Sequence, residues 1–281
     1  MDRVSIRLEE EGPIIAIRMT RRILGIPLFK AYAFFVDGLP IDTGFANGQR
    51  RFMKLCDRLR PAIVVNTHHH EDHTGNNYWI TKKYGLLPLL HPKTLSYMKD
   101  SSRRIPIYRR FTCGKPVPSK TGELGSEIRT SRFRFLVIPA PGHTDDHICL
   151  YEPNEGWLFS GDLFIGEQLG YSRDGEDVCA ILNSLRSVVA LHPKKMFCSF
   201  SGKVDRPEPA IYEKIEYLEN LRDQVEKGFQ QGLSPEQIPR KLLGRRDRFR
   251  FLSGGQISKQ NPVNAFFRKF SSPPEGKALT N

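Results

Sequence analysis

The sequence contains no apolar run near the roughly 18–20 residues that a helical membrane span requires. Between Met1-Asp2-Arg3-Val4 and the acidic Glu9-Glu10-Glu11 there is no apolar signal segment, so the expectation is a cytoplasmic protein with no membrane association. Cysteine is sparse: Cys56, Cys113, Cys149, Cys179 and Cys198 are scattered, odd in number and without Cys-x-x-Cys spacing, which excludes a disulfide framework and predicts reduced, partly buried thiols. A Gly-x-Ser-x-Gly elbow, a P-loop and a dinucleotide fingerprint are all missing, and no internal repeat is present. Nor do aromatic and basic residues interleave as in a known RNA-binding motif.

What is there suffices for a folded enzyme-sized unit. With 281 residues, 39% hydrophobic and 26% charged, the chain can bury a sizeable core as one elaborate domain or a domain with a small appendix. The formal net charge is +12, concentrated in residues 99–134 (ten Lys/Arg against three acids) and 240–281 (ten against two). A positive surface raises the local concentration of any anion, whether nucleic acid, membrane or acidic small molecule. Solvated faces are the favoured reading of both segments.

Strands are expected at 14–17, 32–36 and 39–41, with Asp37-Gly38 as a two-residue hairpin turn. Phe52, Leu55, Cys56 and Leu59 have helical spacing that Pro61 stops before an apolar strand at 63–65. A short helix follows at 78–84, then loops and short strands over 99–132. Strands at 133–138, 148–151, 157–159 and 196–200 alternate with an apolar helical face from Val178 to Leu191. Ile211, Ile215, Leu218, Leu221, Val225 and Phe229 line a long amphipathic helix that Gly228 and Gly232 close. Ser234-Pro235-Glu236-Gln237 has the form of a capping box.

Seven of the eight histidines lie between 68 and 147, and four sit within Thr67-His68-His69-His70-Glu71-Asp72-His73 at the end of an apolar strand. Imidazoles and carboxylates so dense are hard to bury unless something organises them, and a metal ion does so. In extended chain His68 and His70 return to one face. Asp72 and His73, where the chain turns, point elsewhere, towards a second ion. Further donors are His143 in Pro141-Gly142-His143 and Asp162 in Ser160-Gly161-Asp162, each on a glycine turn after a short strand. Nitrogen and carboxylate donors suit zinc, and also iron or manganese. His69, Glu71 and His147 are assigned to supporting hydrogen bonds, Asp42 to accepting them from backbone or from a ligand imidazole, and His91 and His192 to structural roles.

These residues, in this order, resemble the metallo-β-lactamase superfamily: Ile41-Asp42-Thr43-Gly44 at a hairpin end, the HxHxDH run at 68–73, the isolated His143 and the Gly161-Asp162 turn, over roughly residues 14–204. The resemblance implies an α/β fold, an αβ/βα sandwich of two mixed sheets flanked by helices, with metal at the sheet edge. It implies that His68, His70 and His143 hold one ion, Asp72 and His73 a second, and that Asp162 bridges them. Gly254-Gly255-Gln256-Ile257-Ser258-Lys259 and Asn261 look like the C-terminal helical unit of the glyoxalase-II-like and β-lactamase-like-protein-2 branch. The chain is accordingly divided into 1–204, a C-terminal helical extension 205–270 and a flexible tail 271–281.

One departure stands out. The family usually presents a last histidine ligand after the strand at 196–200, where this chain has Ser201, with Lys203 nearby as a cation that could take the place of missing metal charge. A serine hydroxyl is a poorer ligand than imidazole, so a weaker second site is expected, with one or two ions, zinc first. A bound divalent ion lowers the pKa of its water from near 16 to about 7, and Asp72 would orient the hydroxide. The expected activity is metal-dependent hydrolysis of an acyl ester, thioester or lactone. The substrate is taken as a small, anionic acyl compound, with the C-terminal helices and their Arg/Lys walling the cleft. Alternatives are an endoribonuclease, a one-iron enzyme like the persulfide dioxygenases, and a weakly active metal-binding protein.

Overall fold

β-Branched and aromatic residues recur through the N-terminal forty residues, and in the structure, a computed structural model describing residues 4–99, 105–168, 170–244 and 246–271, this segment forms an antiparallel meander. Its strands are β1 (Val4–Glu11), β2 (Ile14–Ile23), β3 (Ile26–Val36) and β4 (Leu39–Ile41). Asp37 and Gly38 both adopt positive φ (47° and 79°), the requirement of the tight turn read from the sequence. Helix α1 (Gln49–Leu59) follows, with Arg60 in the left-handed conformation at its end. The expected strand at 63–65 is reduced to parallel bridges of Val65 with Ile41 and with Leu89. Ala62 and Ile63 instead donate to the Gly38 carbonyl, which uses their backbone to anchor the turn. Beyond come α2 (Glu71–Thr74), α3 (Asn77–Tyr84), β5 (Leu89–Leu90), α4 (Pro92–Lys99), α5 (Ile107–Thr112) and β6 (Gly122–Glu123), the last parallel to β5.

The second sheet is mixed. It contains β7 (Glu127–Arg129), β8 (Arg134–Pro139), β9 (Ile148–Glu152) and β10 (Trp157–Gly161); after the two-residue β11 (Ser172–Arg173) and helix α6 (Val178–Val189) it is completed by β12 (Lys195–Cys198) and β13 (Gly202–Val204). β10 and β12 run parallel, joined through α6, while the other pairs are antiparallel. The facing sheets interdigitate aromatic side chains: the Phe34 ring stands edge-on to Phe159 and Phe197 at 5.5 and 5.6 Å.

Each outer face is covered by helices. Phe52, Cys56 and Ile80 of α1 and α3 pack on Ile17, Ala33 and Phe35. On the other side α6 is buried under α7 (Pro207–Gln230) and α10 (Gln260–Ser271), with Leu185, Leu218, Val225 and Phe266 in one cluster. The αβ/βα sandwich is therefore the architecture. Between α7 and α10 lie α8 (Gln237–Leu242), α9 (Arg248–Leu252) and β14 (Ile257–Ser258), which pairs with β11.

Several local expectations needed correction. β1 was not foreseen, and the stretch read as loops over 99–132 contains α5. Gly228 is inside α7, packed on Ile238, and only Gly232 (φ 73°) follows the helix end. Half of the capping box forms: Gln237 accepts from the Ser234 N–H, whereas the Ser234 hydroxyl turns to Glu236. The tail beyond Ser271 lies outside the described residues. Among the described residues no helix is long and apolar enough to cross a membrane.

Candidate metal centre

Four stretches of chain end at one rim between the sheets, and hydrogen bonds fix each to the next. Asp42, just past β4, accepts from the Thr67 N–H (2.8 Å) and hydroxyl, and its Oδ2 lies 2.7 Å from His73 Nδ1. Thr67 O in turn accepts from Ile148 of β9. The segment 67–69 is bent, not extended, yet His68 and His70 still converge, with Nε2 of one 2.8 Å from Nδ1 of the other. His143 Nε2 lies 3.0 Å from the same His70 nitrogen, and Asp162 Oδ2 lies 3.2 Å from His143 and 3.9 Å from His68.

The second set shares that aspartate. Asp162 Oδ1 is 3.3 Å from His73 Nε2, which is 3.8 Å from Asp72 Oδ2. Every one of these side chains is buried. The donor atoms of His68, His70, His143 and Asp162 lie within 4.8 Å of one another, and so do those of Asp72, His73 and Asp162. All six residues singled out in the sequence are brought together.

The arrangement fits a divalent cation. Bonds of 2.0–2.2 Å place the donors of a tetrahedral ion roughly 3.3 Å apart, close to the spacing of the first set. Asp72 Oδ2, His73 Nε2 and both Asp162 oxygens are buried without a hydrogen-bond partner, which leaves lone pairs directed at the centre. Burial, reinforced by neighbouring imidazoles and by Arg109 and Arg173, holds His68 and His70 far below the usual histidine range, and so neutral with lone pairs available. His73 goes the other way. Burial would lower it, but the Asp42, Asp162 and Asp72 carboxylates raise it well above its ordinary value. For Asp72 and Asp162 burial is likewise outweighed, by His73 with Arg109 and by His73 with His143, and both stay below the normal carboxylate range.

Supporting residues orient the donors. His69 lies on Asp146 (Nδ1 to Oδ1 2.8 Å), and His147, pushed down to about 3 by burial, accepts the Asp162 N–H at 3.0 Å. His143 Nδ1 is 2.8 Å from Glu176. His91 and His192 stay away: His91 accepts from Lys93 N–H before α4, and His192 lies 3.4 Å from Glu208.

The sequence reading missed Asp146, Glu176, Arg109 and Arg173. Acids beside His147 and beside the α6 cap Asp177 were a signal for the first two. The arginines had none: the segment of Arg109 reads as a solvated face, and Arg173 stands alone between the Asp162 turn and the 178–191 helix. Arg109, on α5, is buried and contacts Asp72 Oδ1 (2.8 Å) and Glu71 (2.6 Å); Arg173 Nη1 lies 2.9 Å from His70 Nδ1. These two cations occupy the part proposed for Lys203, which instead pairs at the surface with Glu11 and Asp205. Ser201 donates to the Ile165 carbonyl at 2.8 Å and belongs to neither donor set.

Residues 41–199 match the pattern of the Metallo-beta-lactamase superfamily. The chain belongs to that superfamily. Within it, the chain is 34% identical over 199 residues to a Beta-lactamase-like protein 2 homolog of Drosophila melanogaster (66% of this chain, 61% of the relative). It is 31% identical over 166 residues to a Hydroxyacylglutathione hydrolase of Thiobacillus denitrificans (56% and 57%). The chain thus spans about 60% of the length of these relatives. A Beta-lactamase domain protein from Burkholderia ambifaria has the same metallo-β-lactamase fold, with a TM-score of 0.72 at 15% identity, covering 94% of this chain and 87% of that one. A metallo-beta-lactamase family protein from Thermus thermophilus gives 0.65 at 15% identity, covering 99% and 97%.

Proposed function

We propose that the chain is a metal-dependent hydrolase of carboxylic esters, thioesters or lactones, holding zinc at His68, His70, His143 and Asp162, with iron or manganese as alternatives. The observation that carries this reading is the convergence of four buried donors, with both Asp162 oxygens lacking a hydrogen-bond partner, at the floor of a cavity of about 490 Å³ that reaches His143 and Asp162. The named hydrolases among the relatives agree with it. A bound divalent ion supplies Lewis-acid polarisation and acidifies water to a pKa of about 7.

The protein's own groups do the rest. Arg109 pins one oxygen of Asp72, so that Oδ2 faces the centre as an ionised acceptor able to orient a water and take its proton. Arg173, half-buried at the cavity wall, can donate to the oxygen that gains charge as the acyl carbon is attacked. Glu176 and Asp42 hold the His143 and His73 rings in fixed orientations. The division at residue 204 is kept, with the extension 205–270 as one wall of the substrate cavity; an anionic leaving group suits the net charge of +12.

A weaker second site is part of this proposal. It has three donors, Asp72, His73 and Asp162, a guanidinium already on Asp72, and Ser201 in place of a fourth. Ser201→His is expected to raise the metal content towards two ions per chain, read by elemental analysis after dialysis. The endoribonuclease reading has less support, because a polyphosphate track needs cations along it and this cavity is walled mainly by apolar side chains. The test is protein loaded with zinc, manganese or iron and assayed on thioester, lactone and nitrophenyl-ester panels. Metal-dependent turnover abolished in His68→Ala is expected. Turnover of none, or an equally active His68→Ala, would refute it.

A further inference from the structure

The cavity above the metal centre differs from the cleft the sequence suggested. Its C-terminal wall was expected to be basic, yet the residues facing inward there are Phe249, Leu252 and Ile257, while Arg248 and Arg250 are exposed. The other walls are alike: Leu28 and Phe29 from β3, Tyr108 and Phe111 from α5. Aromatic contacts brace the lining, with Phe29 edge-on to Phe200 (5.8 Å) and Tyr171 edge-on to Phe249 (4.9 Å). Polar groups are gathered at the inner end, where Asp162, His143, Glu176 and Arg173 meet.

The same three segments carry most of the apolar surface. Eight of the twelve large hydrophobic side chains exposed among the described residues lie on the β2–β3 tip, α5 and α9, including Leu24 (97% exposed) and Phe251 (88%). Exposed apolar surface of this extent marks an interaction site, and Leu28, Phe111, Phe249 and Leu252 within it also line the cavity. The volume points the same way. An apolar cavity of about 150 Å³ holds a benzene, and this one is about 490 Å³, far more than a small hydroxyacyl group would fill. Ligand pockets of roughly 300–1,000 Å³ with a few convergent polar groups bind largely apolar molecules oriented by those groups.

We propose that the substrate is an ester or thioester of a long apolar acyl group, with the acyl chain lying in this cavity and its carbonyl at the inner polar end. The proposal rests on the hydrolase reading above. Continuity of the apolar walls with the catalytic floor commits the cavity to the acyl side. The leaving group, the more polar part, remains towards the exposed Arg110, Arg248 and Arg250 on α5 and α9. In the reaction water adds to the acyl carbon, a C–O bond forms as the C–S or C–O bond to the leaving group breaks, and the products are the carboxylate, the thiol or alcohol, and one proton. No redox partner is needed.

The test is the dependence of kcat/KM on chain length for acetyl, butanoyl, octanoyl and dodecanoyl thioesters of coenzyme A, with S-lactoylglutathione as the small polar reference. Burying each methylene is expected to raise kcat/KM about three- to fourfold until the cavity is filled. In Phe111→Asp/Leu252→Asp the dodecanoyl-to-acetyl ratio should collapse towards one; both side chains are largely exposed, and Leu252→Asp alone serves if the pair misfolds. A second readout needs no turnover: calorimetric titration of dodecanoate into chelator-treated protein should show binding that the double variant loses. Turnover of S-lactoylglutathione with kcat/KM flat or falling along the series would overturn the apolar-acyl proposal and leave the hydrolase reading standing. Turnover of none of these thioesters, nor of the lactone and nitrophenyl-ester panels, would overturn the hydrolase reading, and dodecanoate binding would then decide the cavity's preference alone, its absence sinking it.

Discussion

Arg109 pairs with two adjacent acids, Glu71 and Asp72, that lie nearly forty residues away along the chain. Its guanidinium is buried and bridges Glu71 and Asp72, so removing it leaves two buried carboxylates without their cation. Arg109→Met is expected to destabilise the chelated protein by about 3–5 kcal/mol, read as a lowered denaturant midpoint, with Arg109→Lys recovering part of the loss. The six donors were legible because histidine and aspartate at these spacings have few other uses. Arg109 was hidden because it lies in a segment with many other arginines, and Arg173 because nothing in its own short stretch ties it to His70; only the three-dimensional structure sets both beside the donors.

At the scale of elements, the turns that present donors are tightly built. Gly142 has φ +139°, and a Cβ there would sit 2.5 Å from the Ile181 backbone nitrogen of α6. Gly142→Ala should therefore push His143 off the centre and cost about 3 kcal/mol, measurable by thermal unfolding together with weakened zinc binding. Helix α7 holds the loop after β10 in a different way: Lys214, fully enclosed, donates to the Phe164 and Gly166 carbonyls. Burial lowers its pKa from 10.5 to about 8. Because the folded-state value is depressed, the contribution is complete above the unfolded value and is lost as pH falls through about 8. Relative to Lys214→Met, wild-type stability is expected to rise between pH 8 and pH 10, by up to about 3 kcal/mol, as followed by urea unfolding. Helices α1, α3, α6 and α7 were readable from apolar spacing. β1 and α5 were not, since β1 is rich in charge (Arg7, Glu9, Glu10, Glu11) and α5 is short and basic.

For the whole molecule, the centre works as a clamp. Its donors come from the segment after Val65, which bridges to β4 of the first sheet, and from the turns after β8 and β10 of the second. An ion that binds only the folded state adds about 4 kcal/mol at a thousand times its Kd. Chelation is expected to lower Tm by roughly 8–16 °C, reversed by zinc, and His68→Ala should show a much smaller shift in differential scanning calorimetry.

The local pattern of residues by itself marked the helical faces and the six clustered histidines and aspartates, because periodicity and dense histidine spacing are short-range signals, while the two-sheet sandwich followed from the family resemblance of the HxHxDH run, His143 and Asp162. Only the tertiary structure decided which cations sit beside the centre, where Ser201 and Lys203 point, and that the cavity above the donors is apolar. Those outcomes depend on which surfaces of distant segments meet. Phe29, Phe111 and Phe249 are far apart along the chain, and the fold brings them to the walls of one cavity.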